Sequence, residues 1–262
     1  MFTKLIQFTN PDKKILRGIY SGAEENKKLV IMASGLERKA TTEKKFTALS
    51  KALNQQGIDC FRFDYEGLGL SEGDFSDFTV ENWKKDLLSA RAEMEGVKKY
   101  DSISLVAHSV SGCVAALARE EADWEKMVLL GPALNQKDLL RYYFAQNKMK
   151  KEDPRLEVTW ENFRDYFREE DFQAYIKEEG KMTKENYILP DYFLQNEDKD
   201  YSSYFQDTDN VLLVQGDNDK KVPPESFNID FSRKITVSGG DHDMERPDLL
   251  EQWLSGSVKF LI

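Results

Sequence analysis

Histidine and cysteine are scarce in this 262-residue chain, with two of each. Cys60 and Cys113 are read as reduced core residues, one in a strand and one in a helix, because unpaired cysteine is among the most buried residue types. With two histidines and no C-x-x-C spacing, a structural zinc site has almost nothing to be built from, and neither metal nor other cofactor is expected. An excess of basic residues is missing as well: 37 Lys plus Arg stand against 47 Asp plus Glu, a formal net charge of −10. Such a chain offers no basic face to a phosphate backbone, which excludes nucleic acid and anionic membrane as expected partners. No apolar run approaches the ~20 residues that span a bilayer. The N-terminal MFTKLIQFTNPDKK has neither a long apolar core nor a small-residue cleavage site. A soluble, cytoplasmic protein without membrane insertion is expected. Low-complexity linkers and internal repeats are also lacking, so residues 1–262 are read as a single domain.

What the chain does have is a regular alternation of short apolar runs with amphipathic stretches. Eight runs read as strands: KLIQF, ILRGIYS, KLVIMAS, DCFRFDY, SISLVAH, KMVLLGP, NVLLVQG and RKITVSG. Helical spacing falls at residues 42–56, 80–98, 110–121 and 247–260. In the first of these Phe46, Leu49 and Leu53 share a face, and Gly57 supplies a C-cap. This order predicts the α/β class, a mostly parallel central sheet flanked by helices. Residues 134–206 break the rhythm with a charged, aromatic-rich stretch, read as an inserted helical or irregular cap. Its aromatic residues either pin it to the main domain or grip a substrate.

The stretch SLVAHSVSGCVAALA, residues 104–118, places Ser109 where a strand stops and a helix starts. A serine there is an N-cap or a nucleophile elbow. A serine hydroxyl attacks only with a base in hydrogen-bond reach, usually a histidine oriented by a carboxylate. His108 precedes Ser109 directly, where neighbouring side chains diverge, so an activated Ser109 requires His242, in the turn TVSGGDHDMERP. One strand earlier, VLLVQGDNDKKVPP puts Asp219 in a loop, with Asp217, Asp241 and Asp243 as competitors for the carboxylate's role.

The segments AHSVSG, GDNDKKVPP, GGDHD and FRFDYEGLGLSEGDF together resemble the α/β-hydrolase superfamily, and within it compact serine esterases similar to cinnamoyl and feruloyl esterases. IMASGLERK with the S-x-S elbow is also similar to the acyl thioesterases of bacterial luminescence. The resemblance implies an α/β-hydrolase fold in which Ser109 is the nucleophile, His242 the general base and Asp219, three residues after Gly216, the orienting acid. It also implies an oxyanion hole from the backbone N–H groups of Leu36 and Val110. DYEGLGLSEG lacks both the G-x-G-x-x-G spacing and a P-loop lysine, so it is no phosphate loop. The family's similar turn is structural and usually carries an arginine where Glu66 stands. Ala107 and Ser111 occupy the two usual glycine positions of the elbow, and Ser34 that of an oxyanion-loop histidine.

The expected activity is that of a serine carboxylic-ester hydrolase working through an acyl-enzyme on a small-molecule acyl ester. An acyl thioesterase is the alternative within the class. A non-catalytic ligand-binding protein on a hydrolase fold is the alternative outside it. The sequence carries no reading of oligomeric state.

Overall fold

The computed structural model describes residues 1–178, 181–183 and 186–262. The strands are β1 (Phe2–Thr9), β2 (Ile15–Gly22), β3 (Lys28–Ala33), β4 (Ile58–Asp64), β5 (Ser102–His108), β6 (Met127–Leu130), β7 (Lys181–Met182), β8 (Tyr187–Ile188), β9 (Val211–Gly216) and β10 (Arg233–Val237). All but the short pair β7 and β8 join one sheet in the order β1-β2-β4-β3-β5-β6-β9-β10. From β4 to β10 every neighbouring pair is parallel. β1 pairs antiparallel with β2, and β2 with β4. The β1–β2 link, residues 10–14, is too short for the crossover that parallel pairing needs.

Helices α1 (Lys44–Gln55), α2 (Val80–Val97), α3 (Ser111–Ala118) and α8 (Pro247–Leu261) flank the sheet, while α4 (Gln136–Glu152), α5 (Phe163–Tyr166), α6 (Glu169–Lys177) and α7 (Pro190–Asn196) lie between β6 and β9 in the chain. The central strands are buried on both faces, so successive residues feed opposite cores. In β3, Leu29, Ile31 and Ala33 join α2 and α3 on one side, and Val30 and Met32 join α1 and α8 on the other. Phe46, Leu49 and Leu53 form the buried face of α1, as their spacing predicts. The third helix is shorter than its sequence pattern: it ends at Ala118, and residues 119–121 leave it as a turn. Cys60 and Cys113 are buried and unpaired.

The segment between β6 and β9 packs through its aromatic residues. Tyr142, Trp160 and Phe163 form one cluster, and Phe144, Phe167 and Phe172 another, over which the Arg141 guanidinium stacks. Tyr192 of α7 meets Phe78, beside α2, with ring centroids 4.7 Å apart. No helix among the described residues is long and apolar enough to cross a membrane.

Register aligns the carboxyl ends of the parallel strands: Ala33 pairs with Ala107, His108 with Leu130, Leu130 with Val214, and Gly216 with Val237. The loops that follow β3, β5, β6, β9 and β10 therefore leave from one edge. Open α/β sheets hold their ligands along that edge.

Candidate active site

Ser109 follows the last residue of β5 and has φ +58°, in the left-handed region, before Val110 turns into the helical range at φ −59°. A side-chain-bearing residue in that conformation costs about 1–3 kcal/mol and needs surroundings that enforce it. Here the Ser109 N–H donates to the Leu130 carbonyl at 3.0 Å, while its own carbonyl accepts from Gly112 N–H at 2.8 Å and Ala133 N–H at 3.0 Å. The tight turn between strand and helix carries the hydroxyl onto the sheet's carboxyl edge.

Two further loops converge there. Gly216 ends β9 against Gly240, so close that a Cβ on Gly216 would lie 2.3 Å from the Gly240 carbonyl oxygen. Asp217 N–H donates to Val237 O at 3.1 Å and Asn218 N–H to Gly240 O at 3.0 Å, which fastens the Asp219 loop to the His242 loop. Asp219 Oδ1 accepts from the N–H groups of Lys221 and Val222 at 2.9 and 2.8 Å. Its Oδ2 lies 2.7 Å from His242 Nδ1, and His242 Nε2 lies 2.9 Å from Ser109 Oγ. Since a carboxylate only accepts, Nδ1 carries the imidazole proton, and Nε2 accepts from the Ser109 hydroxyl. All three residues are buried.

The rival carboxylates are engaged elsewhere. Asp217 is exposed and accepts from Gly239 N–H at 2.7 Å; Asp241, also exposed, accepts from Met244 N–H at 2.8 Å. Asp243 pairs with Arg38. Burial opposes its ionisation, but Lys221, Arg38 and Lys45 outweigh burial and hold its carboxyl below the ordinary range.

His108 points away from Ser109 Oγ. Its Nε2 donates to the His242 backbone carbonyl at 3.0 Å, with the ring centroids 4.9 Å apart. Burial, then the charge of Lys45, pushes its pKa well below the usual histidine value, so it stays neutral. His108 is thus a brace for the main chain of His242.

Sequence reasoning missed four other supporting residues. Gly131, after β6, has φ +50°, and a Cβ there would stand 3.3 Å from Asp219 Oδ2 and 3.4 Å from His242 Nδ1. Gln215 Nε2 donates to the Val222 carbonyl at 3.0 Å, and from α4 the hydroxyls of Tyr142 and Tyr143 donate to the Lys220 and Lys221 carbonyls at 3.0 and 2.8 Å. The Gly-Pro pair at 131–132 was the only local signal among these. The tyrosines come from distant chain, and nothing near Asp219 announces them.

Leu36 lies in the loop after β3 and Val110 directly after Ser109. Among the described residues neither N–H donates to a backbone carbonyl outside the regular elements. The DYEGLGLSEG turn is structural: Asp64 accepts from Thr41 N–H, Thr41 Oγ1 and Leu70 N–H at 3.1, 2.6 and 3.0 Å. Glu66, in the arginine's place, accepts from Asn10 Nδ2 at 2.7 Å.

The profile of the serine aminopeptidase, S33 family matches residues 24–237. The chain belongs to that family. It is an α/β hydrolase, and its solved neighbours share the fold from end to end. Est1E from Butyrivibrio proteoclasticus, in a structure with ferulic acid bound, superposes with a TM-score of 0.73 at 20% identity, covering 98% of each chain. Alpha/beta hydrolase domain-containing protein 10 from mouse superposes with a TM-score of 0.65 at 18% identity, covering 98% of each chain. In sequence, a mouse protein named as a mitochondrial palmitoyl-protein thioesterase is 34% identical over 104 residues, 38% of this chain and 33% of that protein. The chain thus matches about a third of the length of that curated relative.

Proposed function

We propose that this protein is a serine hydrolase of carboxylic esters in which Ser109 is the nucleophile, His242 the general base and Asp219 the acid that orients the imidazole. The observation that carries the reading is the unbroken chain from Asp219 through His242 to Ser109, at 2.7 and 2.9 Å, with Ser109 held at φ +58°. Attack by Ser109 Oγ on the acyl carbonyl passes its proton to His242 Nε2, and Asp219 stabilises the imidazolium that forms. The developing oxyanion is received by the N–H groups of Leu36 and Val110, donors typically worth on the order of 3 kcal/mol each. His242 returns the proton to the departing alcohol, and water attacks the acyl-enzyme by the same route in reverse. In this reading residues 134–206 cap the site and their aromatic clusters wall the acyl pocket.

A second reading, a thioesterase, is favoured by the name of the mouse relative, a palmitoyl-protein thioesterase. The same triad serves it, and the leaving thiolate needs less help from the protonated imidazole. Intact-mass spectrometry tests the common step. Quenched during turnover of an acyl ester or an acyl thioester, the wild type is expected to carry one acyl adduct at Ser109, and Ser109→Ala none. An adduct that persists in Ser109→Ala would overturn the nucleophile's assignment.

A further inference from the structure

Ser34 and Ser111, which stand at the usual oxyanion-loop histidine position and at the elbow's second glycine position, meet in space. Ser111 opens α3 two residues after Ser109 and is fully buried, and its hydroxyl donates to the Ser34 carbonyl at the exit of β3, at 2.5 Å. With that proton committed, the 2.9 Å contact between Ser111 Oγ and the Tyr65 hydroxyl has Tyr65 as donor. Tyr65 is itself fixed by stacking on Trp83, with ring centroids 4.1 Å apart and planes 2° from parallel. On the far side of the loop, Ser34 Oγ donates to the Arg38 carbonyl at 2.8 Å, and Arg38 N–H donates to the Gly35 carbonyl at 3.1 Å. The Gly35 carbonyl and the Leu36 N–H belong to one planar peptide unit and point opposite ways. Holding the first aims the second.

We propose that Ser111 is a positioning residue for the oxyanion hole: the relay from Tyr65 through Ser111 to the Ser34 carbonyl locks the loop after β3, so that the Leu36 N–H is aimed before substrate arrives. The inference rests on the serine-hydrolase reading above and adds to it the reason for a hydroxyl at this elbow position. A glycine or alanine at 111 leaves the buried Ser34 carbonyl without this donor. Donors catalyse through preorganisation, so a loop that must be ordered during the reaction loses rate and not ground-state affinity.

The test is the rate of labelling by a fluorophosphonate, which phosphonylates a serine hydroxyl with loss of fluoride and seats its phosphoryl oxygen in the oxyanion hole. It is measured beside ester turnover and thermal unfolding. Ser111→Ala and Ser111→Gly are expected to slow both labelling and kcat by about tenfold, with KM within about twofold of wild type. Tyr65→Phe keeps the stacked ring and removes only the donor, so it guards against a fold lost in the Ser111 variants. It is expected to slow both rates by about threefold with Tm only a few degrees below wild type, and to add nothing to the rate loss of Ser111→Ala in the double variant. A wild type labelled at Ser109 beside Ser111→Ala and Tyr65→Phe variants of equal reactivity overturns the inference alone. A wild type neither labelled nor active overturns the serine-hydrolase reading and this inference with it.

Discussion

Two histidines lie within one ring contact of each other, yet the geometry gives them different work. His242 alone bridges Asp219 and Ser109, while His108, kept neutral by burial, holds the His242 carbonyl. His242→Ala is therefore expected to lower kcat by on the order of 10⁴-fold or more. His108→Ala, which removes one hydrogen bond from the histidine loop, is expected to lower it by about tenfold. Steady-state kinetics of the two variants decide the point, and equal losses would mean that the base is misassigned. Gly131 supplies a second expectation at this scale. Gly131→Ala forces a left-handed alanine and presses a methyl toward Asp219 Oδ2, so it is expected to cost about 1–3 kcal/mol in chemical unfolding and to lower kcat as well. The residues proposed as the triad could be named from the sequence because a nucleophile needs a base and the chain offers so few histidines. Their supports were not, because Gly131, Tyr142 and Tyr143 act through contacts with chain that is remote in sequence, and Gln215, though only seven residues from Val222, reads as one more residue of a buried strand.

At the scale of elements, all eight strands of the main sheet and its four flanking helices follow from apolar periodicity, since buried parallel strands read as continuous apolar runs. The antiparallel direction of β1 and β2 follows from turn length, which strand patterns alone do not carry. In residues 134–206 charge hides the helical period: α4 turns polar after Ala145, and α6 buries only Phe172 and Ile176. What fixes α4 over the Asp219 loop is the pair of tyrosine hydroxyls on consecutive carbonyls, Lys220 and Lys221. Replacing both with phenylalanine keeps the rings and removes two hydrogen bonds, a loss of roughly 1–3 kcal/mol. Urea unfolding midpoints are expected to fall accordingly, with cleavage by a nonspecific protease between α4 and α5 becoming faster. Unchanged midpoints would mean that α4 is held by its aromatic contacts alone.

For the whole molecule, two cores clasp one sheet, and buried polar groups away from Ser109 contribute to its stability. Asp86 on α2 is the clearest of these. Burial foremost, helped by the charges of Glu66 and Asp12, pushes its carboxyl up to about 7 against hydrogen bonds from Glu66 N–H and Asn10. Between about pH 4 and about pH 7 the folded chain then holds a proton that the unfolded chain releases. This contribution to stability is complete at the acid end of that window, is lost as pH rises through about 7, and is flat above it. Unfolding midpoints taken across the window are expected to show the fall, and Asp86→Asn to flatten it; an identical pH dependence in the variant would place the proton elsewhere.

The account as a whole stands on Ser109 turning over an acyl bond. The most direct test is hydrolysis of acyl esters and acyl thioesters of graded chain length, with an aminoacyl amide alongside, by the wild type and by Ser109→Ala of unchanged Tm. Ester or thioester turnover by the wild type, peaking at one chain length and absent from the variant, is the predicted result. Turnover that survives in Ser109→Ala, or a folded wild type that cleaves no member of the series, would contradict it.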